Sequence, residues 1–398
     1  MKNSKEWISH AFNLTILEKN RYSWVDYLRG LIILLVVYHH AYLGIERSGI
    51  SMPETVGKAN MIFYSFRMPL FFIISGVFTT ISLAKQPIKD LIFVKYDKIL
   101  YPYFIWAFIQ VTLQIFMSNF TNSDRSIHDY LYILYQPKQL DQFWYLPALF
   151  NATIVFIFFK IKVKPSMKIH LLIGLAFYIT APFLNDISMM SNWMRFYLFF
   201  VIGDLISKIL FTKSLQSQLK RPITLLLFLP IFIGAQVVYL HNNVGVKAME
   251  TTLETFHGDK TLYALNEVNF LVTSLIGCMT LIIIAFLLEK WNKLSFLRVI
   301  GFHSLYIYMI HVIVVGLVRA VLVHFLHLTN PFLILSIVIF FGVLIPILFY
   351  NLLGKSYLWF LFSTKKKHVK EERINQKSTL PPLSTVHSSQ INSDIRST

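Results

Sequence analysis

Apolar stretches close to twenty residues long recur along the whole chain, at 26–45, 61–83, 100–118, 143–160, 168–184, 194–211, 222–241, 268–288, 302–323 and 331–351. A hydrocarbon layer of about 30 Å is crossed by about twenty helical residues. In lipid only helices and closed barrels satisfy every backbone N–H and C=O. The runs are continuous and do not alternate with a two-residue period, so they read as helices and not as barrel strands. The expected fold class is all-α: a polytopic membrane protein with about ten transmembrane helices. Composition agrees, with 55% hydrophobic and only 14% charged positions among 398 residues, against about 25% charged in ordinary soluble domains. A soluble core of this size could not enclose that much apolar side chain, which excludes a soluble globular enzyme.

Charge then orients the array. Of 37 lysines and arginines, 27 fall in the N-terminal segment, the C-terminal segment and every second loop, six in the intervening loops, and Arg29, Arg67, Arg195 and Arg319 within spans. Lysine and arginine accumulate on the cytoplasmic side of membrane proteins, so both termini are expected in the cytoplasm. The formal net charge of +17 is broken up by apolar spans and does not form one soluble basic face. Its partners are therefore expected to be membrane lipid headgroups and an anionic cytosolic substrate, with no nucleic acid. The organisation expected is a cytosolic segment at 1–25, a transmembrane domain at 26–362, and a polar, basic cytosolic tail at 363–398 whose Lys, Glu, Ser and Pro content reads as disordered.

Chemistry is sought first among ionisable groups inside the spans, because each is costly unless it is paired or lines a wet cavity. The first span reads Asp26-Tyr27-Leu28-Arg29-Gly30 and ends its apolar run at His39-His40. Eleven residues separate Arg29 from His40, which at about 100° per residue returns to the same helix face, about 16 Å along the axis. The two mark two depths of one stripe, and His39 points elsewhere. Arg67, in Phe66-Arg67-Met68-Pro69, lies at a depth in the second span that matches His40 in the first, so the two are expected to share a cavity. A histidine that takes a proton and an arginine that stabilises an oxyanion suit acyl transfer. The competing structural reading makes Arg29 a snorkelling anchor and His40 a helix-packing residue. Lys95 and Lys98, in Lys95-Tyr96-Asp97-Lys98, share a helical face if the segment is a regular α-helix, and suit phosphate groups. Positive-inside bias alone would also place them there. Trp144 and Tyr145 fit either an aromatic belt or a sugar-stacking platform. His311 falls mid-membrane and either packs or lines the cavity. No HxxxH, HExxH, Walker A or GxSxG pattern is present, and Cys278 is the single cysteine. No metal site, bound cofactor or intrachain disulfide is expected.

The series of motifs resembles the acyltransferase-3 family of integral-membrane acyltransferases that modify bacterial surface sugars. WVDYLRGLIILLVVYHH is similar to that family's D-x-x-R-G opening and Arg-x10-His pattern. RMPLFFIISGVF, KYDKILYPYF, QFWYLPAL and SLYIYMIH follow in the family's order, across residues 22–351. The resemblance implies transfer of an acyl group, usually acetyl, from cytosolic acyl-CoA (acetyl-CoA) to a hydroxyl of an extracytoplasmic glycan. It implies a multi-pass protein of the bacterial cytoplasmic membrane, with Arg29 and His40 as the essential pair. Lys95 and Lys98 stand where the family often has Arg-x-x-Arg, which keeps the charge and loses the bidentate geometry. Many relatives carry a further hydrolase-like domain; here transfer is expected to be completed within the membrane domain. Joined to the residue-level reading, the donor is held by Arg29, Lys95 and Lys98, His40 acts either as general base on the sugar hydroxyl or as a transient acyl carrier, and Arg67 stabilises the oxyanion. Trp144, Tyr145 and His311 are the candidate acceptor contacts. A transporter or flippase for a lipid-linked sugar would also show ten spans with buried charges, and is the alternative.

Overall fold

The computed structural model describes residues 22–118, 125–243, 260–354 and 357–365. Most of the expected N-terminal segment, and the tail from residue 366 on, lie outside the described residues. All regular structure among the described residues is helical. Ten long helices follow in order: α1 Ser23–Arg47, α2 Glu54–Leu83, α3 Ile88–Phe116, α4 Pro137–Val163, α5 Met167–Leu184, α6 Ser188–Ile206, α7 Pro222–Asn242, α8 Lys260–Trp291, α9 Ser304–Phe325 and α10 Pro331–Leu353. Each matches one expected span. The helices begin up to twelve residues before the apolar runs, because a helix continues into the polar interface wherever caps and local pairs support it. The extra first turns of α2 carry such a pair, Glu54 with Lys58 at 2.7 Å.

Nine of the ten are long and apolar enough to cross a membrane. The exception, α6, carries Asn192, Arg195 and Asp204 and is shielded by protein, packed against α2, α4 and α5. Its charges are compensated by neighbours. Arg195 meets Glu267 of α8 at 3.1 Å, and Lys160 of α4 meets Asp204 at 2.6 Å. By contrast α7 exposes Leu226, Leu227, Ile231, Ile233, Val237 and Val238, the surface expected against lipid tails.

The core is centred on α1, which packs against α2, α8, α9, α10 and the short helix Phe296–Phe302. Two glycine pairs allow the closest crossings. A Cβ on Gly30 would overlap the Leu297 carbonyl, and one on Gly301 would overlap the Asp26 carbonyl. Gly76 of α2 and Gly203 of α6 relate in the same way through the carbonyls of Phe200 and Ile73. Small residues let backbones approach where lipid supplies no hydrophobic drive between helices.

Of the departures from α geometry, two bear on the site. In α3 the turn Tyr96–Leu100 is π-helical. The first two turns of α4, Pro137–Trp144, are 3-10 with a kink at Asp141, whose φ of 54° and ψ of −112° are unusual for a residue with a side chain. Ser363 and Thr364, which the sequence places at the start of the tail, are docked on α3. The Ser363 hydroxyl and the Thr364 N–H and hydroxyl all donate to the Asp97 carboxylate, at 2.6–3.0 Å.

Candidate active site

The Arg29–His40 stripe of α1 joins two polar regions at opposite ends of the bundle core. At the end carrying the basic loops, the Arg29 guanidinium lies 5.8 Å from the Phe78 ring and within electrostatic reach of Lys95 and Tyr145. Lys95 Nζ donates to Thr79 Oγ1 of α2 at 3.2 Å, so it points into the bundle. Lys98 pairs with Asp97 at 3.4 Å on the rim. The expectation that both lysines share one face is therefore corrected. A π turn holds more residues than the 3.6 of an α turn, so residues three apart no longer stack. The structure brings together Arg29 and Lys95, while Lys98 pairs with Asp97.

At the other end a cavity of about 370 Å³ is lined by His39, His40, Arg67, Trp144 and Arg195 among others. His40 and Arg67 thus meet at one cavity, as their matched depths predict. Arg67 is buried, with its guanidinium 5.3 Å from the Tyr64 ring. Trp144 stacks on Phe196 with centroids 5.5 Å apart, and both line the cavity. Tyr145 is turned about 100° from Trp144 by the helix and is buried between Phe72 and Tyr308, 5.5 and 5.3 Å away. It therefore contacts the Arg29 end and does not wall this cavity.

Three imidazoles gather here. His39 Nδ1 bonds Asn60 Oδ1 at 3.1 Å, the His39 and His40 rings lie 4.9 Å apart, and His40 and His311 lie 5.1 Å apart. His311 is fully buried, and its Nδ1 lies 2.9 and 2.8 Å from the carbonyls of Ile307 and Tyr308. A carbonyl only accepts, so Nδ1 carries the proton and Nε2 is left as an acceptor, without a partner among the described residues. His40 itself makes ring contacts and no hydrogen bond among the described residues. Among these residues no three His, Cys, Asp or Glu side chains are grouped as metal ligands would be.

Sequence reasoning did not single out several of the neighbours. Asp141 accepts from Arg47 at 3.3 Å and from the amides of Gln110 and Gln114 at 3.5 and 3.3 Å. The hydroxyl of Tyr308 donates to the Gln142 carbonyl, and Tyr308 lines the cavity. The Asp141 kink leaves no composition signal, and the partner of Arg195 was hidden because Glu267 stands one residue before the eighth apolar run. Of the cations that line the cavity, Arg47 is compensated by Asp141 and Arg195 by Glu267. Arg67 shares the cavity with His40 and is the guanidinium placed to meet a developing oxyanion there.

A family model described as an acyltransferase domain (acyltransferase 3) matches residues 22–351. No curated protein and no solved structure gives a significant match.

Proposed function

The chain belongs to the acyltransferase-3 family of membrane acyltransferases, and from that premise we propose that it carries an acyl group, acetyl in the simplest case, from cytosolic acyl-CoA to a glycan hydroxyl across a bacterial cytoplasmic membrane. The observation that carries this reading is the pairing of two sites on one helix stripe. Arg29 and Lys95 suit the phosphates of the donor at one end, and His40 with Arg67 suits the reacting carbonyl at the other.

His40 removes the proton of the acceptor hydroxyl as its oxygen attacks the thioester carbonyl. The tetrahedral oxyanion faces Arg67. Collapse breaks the C–S bond, and the imidazolium returns the proton to the leaving thiolate, so one ester and one thiol are formed. His311 is a positioning residue here: its ring, held by the Ile307 and Tyr308 carbonyls, packs edge-on against the His40 ring at 5.1 Å and fixes its place in the cavity wall.

The test is mass spectrometry of surface glycan from cells with the wild type, His40→Ala or no protein, beside thiol release from acetyl-CoA by the purified enzyme. The expected result is an added acyl mass that requires His40, with turnover reduced about 10²–10⁴-fold in the variant. His311→Ala is expected to lower kcat and to leave KM for acetyl-CoA unchanged. Glycan export without acetyl-CoA consumption would instead support the transporter.

A further inference from the structure

A second cavity, of about 140 Å³, shares His40, Leu43, Arg47 and Asp141 with the first, so the histidine stands in the common wall. Its other walls come from α3 and α9 and are mostly apolar. Two buried polar groups face it without partners, and they want opposite things. Arg319 is 3% exposed, and its Nε and Nη1 donate to nothing; only an acceptor can satisfy them. Gln114 Oε1 is likewise buried and unpartnered while its amide nitrogen donates to Asp141; only a donor can satisfy it. An isolated buried guanidinium is costly in a membrane protein, and Arg47, a charged neighbour that acts on it, is another cation already paired with Asp141. Among the described residues Arg319 therefore has no anionic partner. Leu113 of α3 and Leu317 of α9 line the cavity and are themselves exposed. The wall made by these two helices thus reaches the bundle surface at an apolar edge, the kind of surface that meets lipid.

We propose that this cavity holds the phosphate of a membrane-anchored acceptor, a glycan joined through phosphate to a long apolar chain. Arg319 binds the phosphate, the lipid chain leaves between α3 and α9, and a sugar hydroxyl donates to Gln114 on the way to His40. The acceptor then reaches the histidine sideways from the bilayer, while the donor approaches along the Arg29 stripe. This assignment rests on His40 as the transfer centre, and it names the acceptor class.

Binding of a long-chain polyprenyl phosphate to the full-length protein in zwitterionic nanodiscs tests it, with the uncharged polyprenol and inorganic phosphate as comparators. Polyprenyl phosphate is expected to bind, polyprenol to bind about tenfold or more weakly, and Arg319→Gln to lose about tenfold or more in affinity. Gly316→Leu supplies a variant that keeps every charge. Gly316 lines the cavity, and a Cβ there meets no atom within 4 Å, so leucine fills the space without a clash and should also abolish binding. Retained acetyl-CoA binding shows that each variant is folded. Equal affinity in both variants, or equal binding of polyprenol, overturns the proposal. Displacement by equimolar inorganic phosphate overturns the lipid source. His40→Ala should keep polyprenyl phosphate binding while losing transfer, so failure of the subsite and failure of the transferase reading are told apart.

Discussion

Among single residues, the two lysines that look equivalent in KYDKILYPYF separate once the π turn is drawn. Lys95 faces Arg29 and Thr79 inside the bundle, and Lys98 stays on the rim with Asp97, itself engaged by Ser363 and Thr364. Removing Lys95 deletes a cation in a partly desolvated site, where charge-assisted bonds are strong. Removing Lys98 deletes one partner of Asp97, whose carboxylate keeps its hydrogen bonds from Ser363 and Thr364. Lys95→Ala should therefore raise KM for acetyl-CoA about tenfold, and Lys98→Ala should stay within about twofold. Steady-state kinetics on both variants decides it, and a larger effect at Lys98 would move the donor site to the rim. The pairing of Arg29 with His40 was legible because both lie on one helix, where the 3.6-residue period fixes relative direction. The direction of Lys95 was not, because a π turn carries no sequence mark comparable to a proline or a glycine.

Among elements, the glycine that closes the D-x-x-R-G opening has a packing role. Gly30 and Gly301 bring α1 and Phe296–Phe302 into backbone contact just below Arg29. A methyl group on Gly301 would meet the Asp26 carbonyl, and backbone cannot swing aside as a side chain can. Overpacking of this kind costs about 1–3 kcal/mol, so Gly301→Ala should lower the midpoint of thermal unfolding in detergent and disturb the placement of Arg29. An unchanged midpoint would mean that the short helix slides freely against α1. Hydropathy finds the long helices readily, since each is a continuous apolar run. It cannot find crossings such as Gly30 with Gly301, or ion pairs such as Arg195 with Glu267, because the partners stand far apart in sequence and meet only in the folded bundle. The buried α6 marks the limit of that reading. Its start is polar because Ser191, Asn192 and Arg195 line the cavity, so the apolar run begins late.

For the molecule as a whole, the direction of transfer depends on which end of the bundle faces the cytoplasm. The basic loops lie at the Arg29 end, and the positive-inside bias makes a cytoplasmic placement of that end the expectation to test. The His40 cavity, Arg47 and the second cavity then open toward the outer leaflet. The chain offers a clean labelling test, because its one cysteine, Cys278, is buried at 1% exposure and should stay silent to a polar maleimide. Ser51, in the connection after α1, and Lys293, in the connection after α8, are both exposed. With intact cells, Ser51→Cys should react with a membrane-impermeant maleimide and Lys293→Cys only after permeabilisation. The reverse pattern would put the imidazoles on the cytosolic side and Arg29 with Lys95 outside, where no acyl-CoA is available. Transfer from cytosol to surface would then be untenable, whatever the chemistry at His40. The expected pattern would make the α1 stripe a path for an acyl group between two compartments, and would turn the apolar edge of α3 and α9 toward outer-leaflet lipid.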